Sequence, residues 1–135
     1  MNDIQKNRMK QISLESREDY LEALSLLREK KNDVRSSDLA SFMGFSRASV
    51  SQVVIAMEND GLIFTDGKYC LHMTDAGRAI AENTRRKHLF FEKNLLMAGI
   101  DPVTAQTEGR RLGHALSDDS FEKVAGYGMH REDEI

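Results

Sequence analysis

The sequence holds no tryptophan, one proline and one cysteine in 135 residues. A lone cysteine, Cys70, excludes an intrachain disulfide framework and suits a reducing compartment. No apolar run approaches the ~20 residues that a membrane span needs. The opening Met1-Asn2-Asp3-Ile4-Gln5-Lys6 has no apolar stretch behind its charges and does not read as a signal peptide. A cytoplasmic protein without a membrane partner is therefore expected. Excess positive charge is also missing. The net charge of −3 counts against a protein that coats nucleic acid, although a folded chain can still present a local basic face. The chain shows no glycine-rich phosphate loop, no nucleophile–base set and no paired catalytic carboxylates, so nothing points to an enzyme.

What the chain does have is helical periodicity, punctuated by caps. Its length fits one domain, or two small ones sharing a core, and a hydrophobic content of 40% supports a core of modest size. Residues 1–15 are polar and aperiodic and read as a flexible arm. Ser16-Arg17-Glu18-Asp19 has the form of a capping box with Ser16 as N-cap. Tyr20, Leu21, Leu24, Leu26 and Leu27 then recur at near-helical spacing up to about Lys31. Ser36 or Ser37 caps a short second helix that stops at Gly44. Ser46 caps a third, closed by Gly61, with Val50, Val53, Val54 and Met57 on its inner face. Leu62–Thr65 and Lys68–Met73 flank Asp66-Gly67, which predicts a two-residue hairpin. Thr74 caps a long fourth helix over 75–98. Asp101-Pro102 starts a fifth, to about Leu116, and Ser117 a short last one that ends before Gly126. Residues 127–135 read as a disordered tail.

The order helix, short helix, turn, helix, hairpin predicts a mainly α fold. An N-terminal winged helix-turn-helix over 16–74 would be followed by a helical region over 75–126. In such a motif the second helix of the pair enters the major groove with its N-terminal residues on base edges. That helix offers Ser46, Arg47, Ser49, Ser51 and Gln52. Small hydroxyls allow close approach, Gln52 suits adenine and Arg47 suits guanine. Lys68, beyond the tip of the wing, is placed for a phosphate. The same helix also reads as a solvated face, and winged helices serve as protein-docking modules too.

Several stretches recur together in one known family: Glu18-Asp19-Tyr20-Leu21-Glu22-Ala23, Ser49-Val50-Ser51-Gln52, Met57-Glu58-Asn59-Asp60-Gly61-Leu62, Leu71-His72-Met73-Thr74-Asp75-Ala76-Gly77-Arg78, Arg86-Lys87-His88 and Gly113-His114-Ala115-Leu116-Ser117-Asp118. Each is unspecific alone. In this order the chain resembles the diphtheria-toxin-repressor family, and within it the short manganese-transport-regulator branch, over about Ser16 to Val124. The resemblance implies a cytoplasmic homodimer that binds double-stranded DNA at a palindromic operator. It further implies control by Mn²⁺ or Fe²⁺ and repression of metal-uptake genes.

The resemblance also implies a ligand set. Asp19 and Glu22, three apart, share a helical face, and their oxygens suit hard Mn²⁺. His88 matches the family's histidine ligand, and Glu92 an acid found in some branches. On the fifth helix the family places an acid or cysteine, then an acid, then histidine. Here those positions hold Arg110, Gly113 and His114, and only His114 fits, with Glu108 nearby as a further oxygen. Arginine cannot ligate a cation, and a mid-helix glycine costs roughly 1 kcal/mol against alanine. Three readings stay open. A reduced site of Asp19, Glu22, His88 and His114 binds metal; or the Arg110 guanidinium takes the place of the metal and makes DNA binding metal-independent; or the pocket takes another effector, such as a small anion. A winged-helix protein-interaction module is the rival from another class. Leu89, Phe90, Phe91, Leu95, Leu96, Leu112 and Leu116 exceed what one small core needs and predict a dimer interface, with an internal helix pair as the alternative. Cys70 reads as a small core residue. His72 and His130 receive no role.

Overall fold

A computed structural model describes the backbone of residues 3–133 and the side chains of residues 17–127. Its elements are α1 (Asp3–Lys30), α2 (Ser36–Met43), α3 (Arg47–Asn59), β1 (Ile63–Thr65), β2 (Leu71–Met73), α4 (Asp75–Met97), α5 (Pro102–Ala115) and α6 (Asp118–Asp133). The mainly α class with a small two-stranded sheet is as the sequence pattern predicts. Among the described residues no single helix is long and apolar enough to cross a membrane. The contacts divide the chain into two units, residues 1–82 and 83–135.

In the first unit the helical stripe of α1 supplies Tyr20, Leu21, Leu24 and Leu27. Leu39 and Ala40 of α2, Val50, Val54 and Met57 of α3, Ile63 of β1 and Leu71 of β2 close the same core. Leu21, Leu24, Leu39, Val50 and Met57 are wholly buried. Helices α2 and α3 meet at a bend of 118°, within the range of a helix-turn-helix. Gly44 makes that bend, at φ 73. Its amide donates to the Ala40 carbonyl at 2.9 Å and closes α2. Ser46 caps α3 through its Oγ, which accepts from the Ser49 amide at 3.2 Å.

Some boundaries differ from the sequence expectation. α1 starts at Asp3, so Ser16 lies inside a helix and is not its N-cap. No proline or glycine interrupts residues 3–15, and a Ser-x-x-Asp pattern imitates a cap wherever it falls. The part of the expected arm at residues 1 and 2 lies outside the described residues. The N-cap of α2 is Arg35, not Ser36 or Ser37. The Asp38 carboxylate accepts from the Arg35 amide at 2.9 Å and takes over that helix start. α6 continues through Gly126 to Asp133 rather than ending before Gly126; residues 134 and 135, and the side chain of His130, lie outside what is described.

The hairpin also differs. Ile63 pairs with Met73 and Thr65 with Leu71 in antiparallel register. The connection is therefore the five residues Asp66–Cys70, not a two-residue turn on Asp66-Gly67. The Asp66 side chain is the cause. Its Oδ1 accepts from the amides of Lys68 at 2.8 Å and Cys70 at 3.0 Å and widens the loop. Leu71 ties the wing to the helices: its amide donates to the Val34 carbonyl at 2.7 Å, and its carbonyl accepts from Arg28 Nη1 at 2.7 Å.

Thr74 caps α4, its Oγ1 accepting from the Gly77 amide at 3.2 Å and donating to the Gly61 carbonyl at 2.7 Å. A Cβ on Gly77 would lie 2.0 Å from the Leu62 carbonyl oxygen, so only glycine lets the first turn of α4 lie on the strand entry.

In the second unit Phe121 is 1% exposed. Phe90 and Phe91 pack on it at ring-centroid distances of 5.4 and 6.0 Å. Arg86 lies over the same ring at 5.2 Å and pairs with Glu122 through both nitrogens. Lys87 Nζ reaches Asp118 Oδ1 at 2.6 Å and donates to the Leu116 carbonyl at 3.2 Å. Asp101 caps α5, accepting from the Thr104 amide at 3.0 Å, with Pro102 at its start.

Gly77→Ala is expected to lose about 1–3 kcal/mol through overpacking against backbone. Gly126→Ala, a helical site whose added Cβ meets nothing within 4 Å, is expected to gain up to about 1 kcal/mol. Urea denaturation of the pair of variants checks both signs.

Candidate metal centre and nucleic-acid interface

The nucleic-acid face belongs to the first unit. Ser46, Arg47, Ser49, Ser51 and Gln52 are all exposed at the start of α3, and Lys68 is exposed on the wing. Two of the serines also have structural work. Ser46 caps the helix and its hydroxyl donates to Ser49 Oγ at 2.9 Å, which leaves Arg47, Ser51 and Gln52 as the side chains without a capping bond. Ile55 on the same helix is 57% exposed, an apolar contribution that the polar pattern of the sequence did not single out.

The wing beside this helix is braced by a short polar chain. Asp66 Oδ2 pairs with His72 Nε2 at 2.8 Å, and the His72 ring stacks on Phe64 at 4.9 Å with 14° between planes. His72, given no role from sequence, thus holds the loop through Asp66. The His72 bond, followed by the Cys70 and Lys68 amides, draws the Asp66 carboxyl down to about 2. Cys70 is buried at 3% and serves as the small core residue expected.

Of the expected ligands, Asp19 and Glu22 lie on α1 in the first unit, Asp19 half-buried and Glu22 only 5% exposed. Glu22 is therefore not part of a solvated face. In the second unit α4 carries His88, buried, and Glu92, half-buried, while α5 carries Glu108 and Arg110, both exposed, and His114, half-buried. The second unit brings the two histidines together. Their rings meet edge to face at 4.9 Å, and each offers a ring nitrogen within 4.8 Å of the other's. Glu92 and Glu108 are not part of that pairing.

Gly113, which read only as a costly helix residue, explains how the pair forms. A Cβ there would sit 2.8 Å from His88 Cδ2 and 3.3 Å from Lys87 Cβ. Gly109, one turn earlier, lies where a Cβ would meet the Glu92 amide nitrogen at 3.0 Å. The two glycines let α5 lie directly on α4, and the bare face at Gly113 is filled by the imidazole of His88. Two imidazoles presented side by side form a donor set suited to a divalent transition metal, with nitrogen bonds of about 2.0–2.1 Å for zinc. The residues thus fit such an ion, although position 113 adds no oxygen and Arg110 no ligand.

Sequence models of two domains match almost the whole chain. One is the iron dependent repressor N-terminal DNA binding domain over residues 14–70, and the other the iron dependent repressor metal binding and dimerisation domain over 74–133. The chain belongs to the diphtheria-toxin-repressor family. It is a metal-dependent transcriptional regulator of the branch that resembles the manganese regulator MntR. The HTH-type transcriptional regulator MntR of Bacillus velezensis is 26% identical over 119 residues, 88% of this chain and 84% of that protein. The transcriptional regulator MntR of Escherichia coli O6:H1 is 26% identical over 105 residues, 78% of this chain and 68% of that one. Among solved structures, the metal-dependent transcriptional regulator MtsR superposes with TM-score 0.76 at 26% identity, covering 82% of this chain. The manganese regulator SloR gives 0.70 at 25% identity over the same share. This chain spans about half the length of those two, 52% and 54%. Members of the family are DNA-binding regulators rather than enzymes, and its two domains imply DNA and a second copy of the chain as partners.

Two outcomes follow from this geometry. Gly113→Ala should displace the His88 ring, visible as a shifted His88 side-chain NMR resonance, and should weaken binding of a divalent metal by roughly tenfold or more, as loss of a ligand-orienting contact does; isothermal titration reads the affinity. Asp66 has a folded pKa below its unfolded value, so its loop bonds contribute stability above the ordinary carboxylate range and lose it as pH falls through about 2. A ¹³C-detected titration of the Asp66 carboxyl should find its midpoint near that value, and His72→Ala should raise it.

Proposed function

We propose that this regulator acts in the cytoplasm as a homodimer that represses metal-uptake genes. It would bind a palindromic operator and respond to Mn²⁺ or Fe²⁺. The observation that carries the proposal is the His88–His114 imidazole pair in a chain that also holds an exposed, polar recognition helix. In this reading Arg47, Ser51 and Gln52 read base edges, Ser46 and Ser49 present the helix start to the backbone, and Lys68 meets a phosphate. In the same reading His88 and His114 are the nitrogen ligands, and Asp19, Glu22, Glu92 and Glu108 are the acidic candidates for oxygen ligands. Metal binding would favour the form of the dimer that holds DNA. When bound, the ion supplies positive charge and a fixed geometry; the protein residues supply everything that touches DNA.

The dimer face draws on Leu89, Leu96 and Leu112, which are 53, 41 and 39% exposed, joined by Leu95 and Leu116. Phe90 and Phe91, the other two residues expected at that face, also pack on Phe121 within the unit.

A selection of genomic fragments, run with Mn²⁺ or Fe²⁺ and in parallel with a strong chelator, tests the reading. Fragments enriched only with metal are expected, with His88→Ala abolishing the difference between the arms and Gln52→Ala weakening the site by about 1–3 kcal/mol. Equal enrichment in both arms would overturn metal control and point to the guanidinium of Arg110 in the cation's place.

A further inference from the structure

The tip of the wing carries a residue that the fold itself does not need. Tyr69 has φ 65 and is, among the described residues, the sole non-glycine in the left-handed region. That region is costly for a bulky side chain, which crowds its own carbonyl. The surrounding loop nonetheless holds it there. The Tyr69 amide donates to the Asp66 carbonyl at 3.1 Å, and the Asp66 amide donates to the Cys70 carbonyl at 3.0 Å. Asp66 Oδ1 clasps the amides on either side, those of Lys68 and Cys70. Oδ2 is fixed by His72, and His72 by Phe64.

The result of this clasp is an aromatic ring aimed away from the core. Tyr69 is 77% exposed, more than any other large hydrophobic side chain described. A strained backbone and a bared ring both disfavour the free protein. A glycine at the same place would remove both costs and keep the loop. Such an over-determined outlier points to a contact made outside the chain.

We propose that Tyr69 is a DNA-positioning residue, its ring lying on a sugar and its hydroxyl donating to a phosphate next to the one held by Lys68. This rests on the reading of the chain as a DNA-binding regulator. Three observations select the nucleic-acid backbone as the occupant. The neighbouring residue, Lys68, is an exposed cation. Tyrosine hydroxyls are among the groups that commonly bond phosphate oxygens. The wing belongs to the same packed unit as α3, through Leu71 and the Val34 carbonyl, so a contact at its tip sets the register of the recognition helix. Such a contact carries no base preference of its own.

The test uses the full chain and a DNA fragment that the wild type binds. Tyr69→Gly should leave the Tm unchanged or raise it by up to about 3 °C, while weakening binding roughly tenfold on operator and unrelated DNA alike. Tyr69→Phe should fall between, with wild-type Tm. Lys68→Ala should lower the salt slope of binding by about one. Undiminished DNA affinity in Tyr69→Gly would overturn the proposal. So would a fall in Tm matching the fall in binding, which would make Tyr69 a structural residue, or a weakened dimer with unchanged DNA affinity, which would make a second copy its partner. If the wild type bound no fragment, the DNA-binding reading itself would fail, a result distinct from any of these.

Discussion

The first unit depends on the anchorage of Leu71. Its side chain is in the core, its amide is taken by the carbonyl of Val34, and its carbonyl by the guanidinium of Arg28. One residue thus joins the end of α1, the loop before α2 and the second strand of the wing. A two-stranded ribbon is marginal by itself. Here both backbone groups of Leu71 bond to segments outside the ribbon, so the wing is held by the helices as well as by its own short ladder. The placement of β1, and through Leu62 and Gly77 that of the first turn of α4, follows from it.

The second unit is organised on a different principle. Its centre is a ring, Phe121, faced by two other rings and two cations. Aromatic edges and guanidinium faces stabilise such clusters beyond their buried area. Lys87 can be buried because Asp118 and the Leu116 carbonyl satisfy its ammonium. Next to this cluster the backbone of α5 comes close to α4 at Gly109 and Gly113. A polar aromatic, His88, takes the volume that an ordinary side chain at 113 would use.

The local chemistry of the sequence made much of the fold legible. Ser46, Thr74 and Asp101 sit at helix starts because their oxygens satisfy amides that a helix leaves open, and Gly44, Gly61 and Gly99 sit where φ is positive. The errors arise where one local signal competes with another. Ser16 has the spacing of a cap but no break before it. Asp66 announces a turn, yet its carboxylate prefers the amides of residues 68 and 70 and so builds a longer loop. At the candidate centre His88 and His114 were readable as a pair from the family resemblance. The role of Gly113 was not, because a missing side chain carries no chemistry until its neighbour is known. Tyr69 is silent in the sequence for a similar reason: exposed tyrosines are common, and only its backbone angle sets it apart.

Residues 88 and 113 occupy one volume between them. A side chain at 113 would therefore turn the imidazole of His88 out of its present place, and a smaller group at 88 would leave a hole over the glycine. The conformation of a ligand at position 88 is thus set by the absence of atoms at position 113, and the shape of the pair is written in a residue that ligates nothing.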